Sequence, residues 1–170
     1  MAHWLMKSEP DETSIDDALA AKDQTLAWTG VRNYQARNFM RDAMRVGDGV
    51  LFYHSSCPEP GIAGIAKVAS KAYPDETPFE SGGKYFDPAA TRDKPRWFHV
   101  DVKLVRKTRL IPLGELREHA ALADMRLLQR GNRLFGVKFD GATADGADFS
   151  GCEWQSGGFN DGKVGPDGCF

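Results

Sequence analysis

The sequence contains no long hydrophobic run and few cysteines. No stretch of the chain approaches the roughly 20 consecutive apolar residues that a transmembrane helix needs. Its first residues, MAHWLMKSEPDE, show no basic segment followed by an apolar one, so we expect no secretory signal. Cys57, Cys152 and Cys169 are an odd number at wide spacing, which argues against a disulfide framework. Together these absences indicate a cytoplasmic protein.

A strong excess of either charge is missing as well. The chain carries 22 Lys and Arg and 24 Asp and Glu, a formal net charge of −2. The acids are concentrated in residues 135–170, which leaves residues 1–134 slightly basic. A protein that follows a long track of phosphates would carry far more positive charge. Any contact with nucleic acid should therefore be local and confined to a pocket.

The sequence also lacks the motifs of several common catalytic sites. It has no Cys-x-x-Cys pair, no Gly-rich phosphate loop and no His-x-Glu deaminase signature. His54 and Cys57 lie close together, but the further ligands of a zinc site are missing, and no acid at a diagnostic spacing orients the histidine. We therefore predict no catalytic residue, no metal and no cofactor.

Short strands and short helices make up most of the chain. Strands are predicted in HWLMK, VGDGVLFYHSS, GIAGIAKVASKAY and WFHVDVKLV, and helices in TSIDDALAAKD, YQARNFMRDAM and IPLGELREHAALADMRLLQRG. A long loop rich in Pro and Gly precedes WFHVDVKLV, and loops of this length are often functional. In that strand Val100 and Val102 lie on one face, and Trp97 and His99 fall on the polar face. The pattern predicts an α+β fold with a barrel-like sheet.

The C-terminal part differs from the rest and suggests a division into residues 1–134 and residues 135–170. NRLFGV is predicted as a closing strand, and a five-residue periodicity starts within it. The unit ADFSG resembles the repeat of the pentapeptide-repeat family, whose fold is a square right-handed β-helix. A Gly-rich, poorly ordered tail that repeats by accident explains the pattern equally well, since nine of the 18 glycines lie in residues 135–170.

The segment AWTGVRNYQARN, residues 27–38, combines rings with hydrogen-bonding groups. Trp28 offers a flat apolar face, and Gly30 permits close approach of a ligand or of another backbone. The amide of Asn33 can read the edge of a base, Arg32 can hold a phosphate or stack on a ring, and Tyr34 can stack or form a hydrogen bond. Trp28 taken alone is more often a core residue.

The following helix carries arginines at four-residue steps, at Arg37, Arg41 and Arg45. Arg37 and Arg41 are candidate phosphate contacts. A solvated helix face is the ordinary alternative for such a row.

Polar residues end two of the predicted strands. Lys7, Ser8 and Glu9 follow the first strand, and VLFYHSS places Tyr53, His54 and Ser55 at the end of the second. These groups supply a cation, hydroxyls, an acceptor and rings. Strand-end and helix-start chemistry would explain residues 7–9 as well.

Several longer motifs resemble the EVE domain family. They are WLMKSEP, WTGVRNYQARNFMRD, VGDGVLFYHSSC with PGIAGIAKV, YFDP, PRWFHVDVKLVRK and ALADMRLLQRGNRL, in the family's order over residues 1–134. The resemblance implies a PUA-like fold, a twisted and mostly antiparallel β-barrel with peripheral helices, related to the YTH domains that read methylated adenine in RNA. It also implies a non-catalytic module that binds DNA or RNA carrying a modified base, such as a modified cytosine. The segment FGVKFDGATADG departs from the family's usual C-terminal strand and helix.

Transferred residue by residue, the resemblance implies a base-binding pocket with Trp28 and Trp97 as its rings. The implied ligand-binding residues are Lys7, Ser8, Glu9, Trp28, Gly30, Val31, Arg32, Asn33, Tyr34, Tyr53, His54, Ser55 and Trp97. Ser8, Asn33 and the backbone near Val31 would discriminate between bases, and Arg32, Arg37 and Lys7 would hold flanking phosphates.

Three other functions are consistent with the same residues. One is an enzyme acting on nucleic acid or nucleotides, with Glu9, His54 and Lys7 as acid–base groups. Another is a sensor of a small molecule or anion that uses the same pocket. The third is a protein-interaction module in which residues 135–170 do the binding.

Overall fold

The computed structural model describes residues 1–123, 126–128 and 137–139. The strands are β1 (His3–Ser8), β2 (Thr25–Ala27), β3 (Gly49–His54), β4 (Gly61–Val68), β5 (Tyr73–Pro74), β6 (Phe98–His99), β7 (Asp101–Pro112) and β8 (Val137–Phe139). The helices are α1 (Ile15–Ala20), α2 (Tyr34–Asn38) and α3 (Leu113–Glu118). A π-helical turn, Phe39–Ala43, continues α2, and short 3-10 turns span Lys22–Gln24, Thr77–Phe79, Ala120–Leu122 and Arg126–Leu128. None of the helices in these ranges is long and apolar enough to cross a lipid bilayer.

Six strands form a curled sheet in the order β2-β7-β4-β3-β1-β8. All neighbours are antiparallel except β1 and β3, which run in parallel with Lys7 opposite Tyr53 and Ser8 opposite His54. Parallel strands end at the same edge of a sheet, so the polar ends of β1 and β3 lie side by side. The predicted α+β fold with a mostly antiparallel, barrel-like sheet is confirmed as a half-barrel with few short helices.

The alternation of side chains along β1 and β3 divides the core into two clusters. Trp4 and Phe52 belong to the larger cluster, which also contains residues of α1 and α2. Leu5 and Tyr53 face the other way and pack with α3 through Leu116. Strand β3 is therefore buried on both faces, which explains its continuous apolar sequence.

The predicted strand WFHVDVKLV is interrupted at Val100. Its first part, β6, pairs with β5 in a separate two-stranded sheet, with His99 opposite Tyr73. The expectation of one regular strand with a polar face is wrong there, because Tyr73 packs edge-to-face on the ring of His99 and Tyr34 stacks on that of Trp97. His99 is 4% exposed and Trp97 is 5% exposed as a result.

Most of the C-terminal predictions fall outside the described residues. These include the helix end at Gly131, most of the closing strand NRLFGV, and the pentapeptide-like unit ADFSG. Strand β8 pairs antiparallel with β1, with Phe139 opposite His3, and lies just beyond the predicted boundary after residue 134. The division at that boundary stays a prediction.

A buried carboxylate joins the start of β1 to the turn before β3. Asp48 accepts hydrogen bonds from the backbone N–H groups of Ala2 and Arg45 at 2.9 and 3.0 Å, and from the indole N–H of Trp4 at 3.0 Å. Burial acts to raise the pKa of Asp48, but these three hydrogen bonds outweigh it and hold the pKa below its usual value. The ionised carboxylate of Asp48 thus holds together the two ends at which the parallel strands β1 and β3 begin.

Replacing Asp48 by Ala tests this contact. The change leaves the indole N–H of the fully buried Trp4 without its acceptor. We expect the free energy of unfolding to fall by roughly 1–3 kcal/mol, measured by urea unfolding followed by tryptophan fluorescence. Asp93→Ala, at an exposed aspartate, is the matched control and should leave the unfolding midpoint unchanged. Equal midpoints for the two variants would contradict the assignment.

Candidate functional site

A cleft of about 510 Å³ opens at the edge where β1 and β3 end. Three segments that are distant in sequence meet there, namely residues 7–13, residues 27–33 and residues 55–56. The long segment of residues 75–97 between β5 and β6, here called the excursion, adds Lys84 and Tyr85. The lining residues are Lys7, Ser8, Glu9, Glu12, Thr13, Ala27, Trp28, Thr29, Gly30, Val31, Arg32, Asn33, Ser55, Ser56, Lys84 and Tyr85. This volume is within the range of clefts that hold small ligands.

The two serines at the ends of β1 and β3 form part of the cleft lining. Ser55 donates both its backbone N–H and its hydroxyl to the carbonyl oxygen of Ser8, at 2.8 and 3.2 Å. The hydroxyl of Ser8 is itself buried and has no hydrogen-bond partner among the described residues. A buried hydroxyl without a partner is costly, and the hydrogen-bonding capacity of this group is unused among the described residues.

Lys7 adds a cation to the same edge. Its ammonium lies 5.5 Å from the centroid of the Tyr53 ring, and it makes no ion pair within the described part of the chain. Burial lowers the pKa of Lys7, because the partly enclosed ammonium is poorly hydrated. A ligand that accepts hydrogen bonds, or carries negative charge, would supply what the protein does not.

Two aromatic rings stand in the lining, on Trp28 and Tyr85. Trp28 is only 8% exposed and packs edge-to-face on Phe52, with ring centroids 5.1 Å apart. Tyr85 lies against Gly30, where a β-carbon would meet the ring at 2.7 Å. Gly30 also has a φ of +76°, a conformation that other residues rarely adopt. The close approach of this ring therefore requires glycine.

Arg32 holds the excursion against the sheet. Its five N–H groups each find an acceptor: the carbonyl oxygens of Tyr85 and Val31, the carboxylate of Asp75, and the hydroxyl of Thr77. A guanidinium has five donors in total, so none remains for a phosphate. The role of Arg32 that the structure displays is to position the wall of the cleft.

Asp75 completes that contact from the other side. Its side chain is 1% exposed and accepts from Gly30 at 3.1 Å, Arg32 at 3.0 Å and both the backbone and the hydroxyl of Thr77. Burial acts to raise the pKa of Asp75, yet the hydrogen bonds from Thr77, Arg32 and Gly30 together hold it below the usual value. The carboxylate is thus ionised wherever the protein is folded near neutral pH.

The remaining lining residues belong to the rim. Lys84 forms an ion pair with Glu12 and lies 4.0 Å from a carboxylate oxygen of Glu9. Asn33 caps α2 by accepting the N–H of Ala36 at 2.9 Å with its side-chain oxygen, so the cap does not use its NH₂ group. No three His, Cys, Asp or Glu side chains gather as a metal site within the ranges that the structure describes.

The structure brings most of the predicted site residues together. Lys7, Ser8, Glu9, Trp28, Gly30, Val31, Arg32, Asn33 and Ser55 line the cleft. Tyr34, Tyr53, His54 and Trp97 do not. That these residues bind a ligand stays a prediction.

Each of the four outside the cleft has another environment. Tyr53 is 2% exposed in the smaller core cluster. The ring nitrogen Nε2 of His54 accepts the N–H of Ile15 at 3.0 Å, at the start of α1. Tyr34 and Trp97 stack on each other, with centroids 4.9 Å apart and planes at 20°.

The candidate phosphate contacts lie on α2 and on the turn that continues it. Arg37 donates to the carbonyl oxygen of Arg96 at 2.7 Å and to the side chain of Asn38. Arg41 binds both carboxylate oxygens of Asp42. Much of the charge of Arg41 is therefore already balanced by a neighbour.

Sequence reasoning missed Tyr85, Lys84 and Glu12. Tyr85 belongs to the motif YFDP, and it lies in the long loop whose length pointed to function. Its part in the cleft was not evident, because the residues around Tyr85 in the sequence do not show that Arg32 binds its carbonyl oxygen and holds the loop against Gly30.

The sequence matches the family model of the EVE domain over residues 2–138. The chain belongs to the EVE domain family. Thymocyte nuclear protein 1 from Homo sapiens is 50% identical over 128 residues, which cover 69% of this chain and 56% of that protein. The chain thus spans a little over half the length of this curated relative. An uncharacterized protein of Schizosaccharomyces pombe is 34% identical over 142 residues, covering 75% of this chain and 59% of its own length.

Solved structures of similar proteins have the same fold. A crystal structure of a Pseudomonas putida protein is 50% identical, covers 81% of this chain and 91% of its own, and superposes with a TM-score of 0.75. The human THYN1 protein, crystallised in complex with 5-methylcytosine-containing DNA, is 44% identical. It covers 88% of this chain and 95% of its own, with a TM-score of 0.75. The resemblance inferred from the motifs is confirmed.

Replacing Gly30 by Ala should displace the ring of Tyr85. Backbone strain at positive φ and the clash with the ring add together, so we expect a marked fall in thermal stability. Gly82→Ala is the matched control, because Gly82 has a φ of +81° and open space around it. That variant carries the strain alone, roughly 1–2 kcal/mol. Equal losses in the two variants, measured by circular dichroism on heating, would show that the ring does not press on Gly30.

The hydrogen bond to His54 predicts a pH dependence of stability. Burial lowers the pKa of His54, and the Ile15 bond requires an unprotonated Nε2. The unfolded chain then binds more protons than the folded one below the ordinary pKa of about 6.5. The contribution of this hydrogen bond to the free energy of unfolding should be fully present above that pH. It should be lost as the pH falls toward the lowered pKa of His54. His54→Gln should reduce this decline in urea unfolding between pH 7 and pH 5, and an unchanged slope would contradict the assignment.

Proposed function

We propose that this EVE domain is a non-catalytic nucleic-acid-binding module whose cleft receives one modified base, with 5-methylcytosine as the first candidate. The observation that carries the proposal is a cleft that combines two rings with an unpartnered hydroxyl and an unpaired cation, on Trp28, Tyr85, Ser8 and Lys7. The complex of human THYN1 with 5-methylcytosine-containing DNA supports it, because that protein and this chain share family, fold and 44% identity.

The polar groups of the cleft fit the edge of a cytosine. That edge presents acceptors at its carbonyl oxygen and ring nitrogen, and a donor at its exocyclic amino group. Lys7 and the NH₂ group of Asn33 are donors, and the hydroxyl of Ser8 can donate or accept. Glu9, exposed at the rim, supplies an acceptor. Both kinds of base atom therefore have a partner within the same lining.

The apolar groups fit the ring and its methyl group. Stacking on aromatic side chains contributes about 1–3 kcal/mol per base, whereas moving a base out of a duplex costs a few kcal/mol. The two terms nearly cancel, so a single strand should bind more tightly than a duplex. Burying one methyl group against Trp28 or Val31 contributes about 0.8 kcal/mol, which corresponds to roughly fourfold discrimination against unmodified cytosine.

The placement of His54 supports a binding role over a catalytic one. An acid–base enzyme built on Glu9, His54 and Lys7 needs all three near the reacting atoms. His54 does not line the cleft, and its Nε2 already accepts the N–H of Ile15. Under the proposal, a bound oligonucleotide is recovered with unchanged mass.

Binding to short single-stranded DNA tests the proposal. The protein is titrated at low salt with two oligonucleotides that differ only in one 5-methyl group on cytosine, and affinity is measured by calorimetry. We expect about fourfold tighter binding of the methylated strand. The proposal is overturned if neither strand binds, or if both bind with equal affinity.

A pair of lysine variants tests whether the cleft is the site. Lys7→Met removes the cation of a residue that lines the cleft, and Lys67→Met removes one from an exposed position of β4. A hydrogen bond to a charged group contributes about 1.5–3 kcal/mol, so Lys7→Met should weaken binding at least tenfold. Lys67→Met changes the net charge equally and should bind as the unaltered protein does. Equal losses would place the site elsewhere.

A further inference from the structure

An exposed aromatic ring stands next to the cleft without taking part in its lining. Tyr34 is 54% exposed, and one face of its ring lies on Trp97, 4.9 Å away between centroids. Trp97 is fixed in turn, because its indole N–H donates to Asp87 at 2.7 Å. A large ring held this rigidly at the surface loses little conformational entropy when it binds a flat partner.

A series of contacts between rings and one guanidinium group, here called the column, connects Tyr34 with the cleft. The guanidinium carbon of Arg32 lies 5.4 Å from the centroid of Tyr85, which lines the cleft, and 5.2 Å from that of Trp97. Tyr34 follows Trp97 at the end of the column. Asn33 lines the cleft and directly precedes Tyr34, so the two Cα atoms are about 3.8 Å apart.

The position of Arg37 leaves the outer face of Tyr34 open. Its guanidinium carbon lies 5.0 Å from the ring of Tyr34 and 5.9 Å from that of Trp97. If Arg37 covered the face of Tyr34 opposite Trp97, its distance to Trp97 would be nearly the sum of the two spacings. Arg37 therefore does not cover the face of Tyr34 that is opposite Trp97. One nitrogen, Nη2, makes no hydrogen bond within the described residues.

We propose that the open face of Tyr34 is a second nucleobase site, which stacks the base adjacent to the one in the cleft on the same strand. Arg37 is placed to contact the phosphate between the two nucleotides. The inference rests on the proposed function and extends it from one nucleotide to two. Its support is the exposed, rigidly backed ring, the cation beside it, and the direct continuity of Asn33 and Tyr34 with the cleft.

A cycle of protein and DNA changes tests the second site. The probes are single-stranded oligonucleotides with one 5-methylcytosine, either intact or with an abasic nucleotide on its 5′ or its 3′ side. The protein is compared with Tyr34→Ala and with Tyr34→Phe, which keeps the ring. Unfolding curves and near-ultraviolet circular dichroism establish that each variant is folded.

Stacking of one base predicts a specific pattern of affinities. The unaltered protein should bind one of the two abasic strands roughly five- to a hundredfold more weakly than the intact strand. Tyr34→Ala should lose a similar factor on the intact strand and show no further loss on that abasic strand. Tyr34→Phe should behave as the unaltered protein does.

The failures of the two proposals are distinguishable. If the unaltered protein does not bind the intact strand, the proposed function itself fails. If it binds but Tyr34→Ala binds equally well, the second site is overturned and the cleft is unaffected. The second site is also overturned if Tyr34→Ala binds weakly while neither abasic nucleotide affects the unaltered protein, because Tyr34 would then act only through the fold.

Discussion

The ion pair between Arg32 and Asp75 is the contact on which the candidate site depends. It joins the segment after β2 to the excursion between β5 and β6, and both partners are largely enclosed. Around this pair, the N–H of Gly30 donates to Asp75, and the carbonyl oxygen of Tyr85 and the hydroxyl of Thr77 accept hydrogen bonds from Arg32. Removing one partner of such a pair leaves a buried charge uncompensated, which costs about 3–5 kcal/mol. The arginine that looked like a phosphate ligand is thus the element that positions the cleft wall.

The position of the cleft was accessible from the sequence because it is set by strand ends. Apolar runs that end in Lys7 and Ser8 and in Ser55 mark where β1 and β3 stop. Polar residues that follow an apolar run can be read from the sequence alone. Spacing along the chain carries no sign of the parallel pairing that brings those ends together. Their grouping into one pocket, with Trp28 and its neighbours, came from the resemblance to the EVE family.

Side-chain direction was less accessible than position. Tyr53 and His54 share a motif with Ser55, but the pleat of β3 directs Tyr53 into the smaller core cluster, and the N-terminus of α1 engages His54. Trp97 falls on the polar face of the predicted strand, and its burial comes from contacts outside that strand: Tyr34 stacks on its ring, and Asp87 accepts its indole N–H. Many such contacts join residues far apart in the chain, as His54 and Ile15 are, with a separation of 39, and Arg32 and Tyr85, with a separation of 53. Local pattern carries no information about them.

The close packing of Tyr85 on Gly30 has a consequence for how the domain moves. The cleft has one wall on the sheet side and one on the excursion, and the second wall is attached through contacts of Arg32, Arg37 and Glu12. A ligand seated between Trp28 and Tyr85 touches both parts at once. Its binding energy therefore opposes local opening of the excursion, in addition to global unfolding. Backbone amides of residues 75–87 would then report occupancy of the cleft by hydrogen exchange, although only Lys84 and Tyr85 of that range line it.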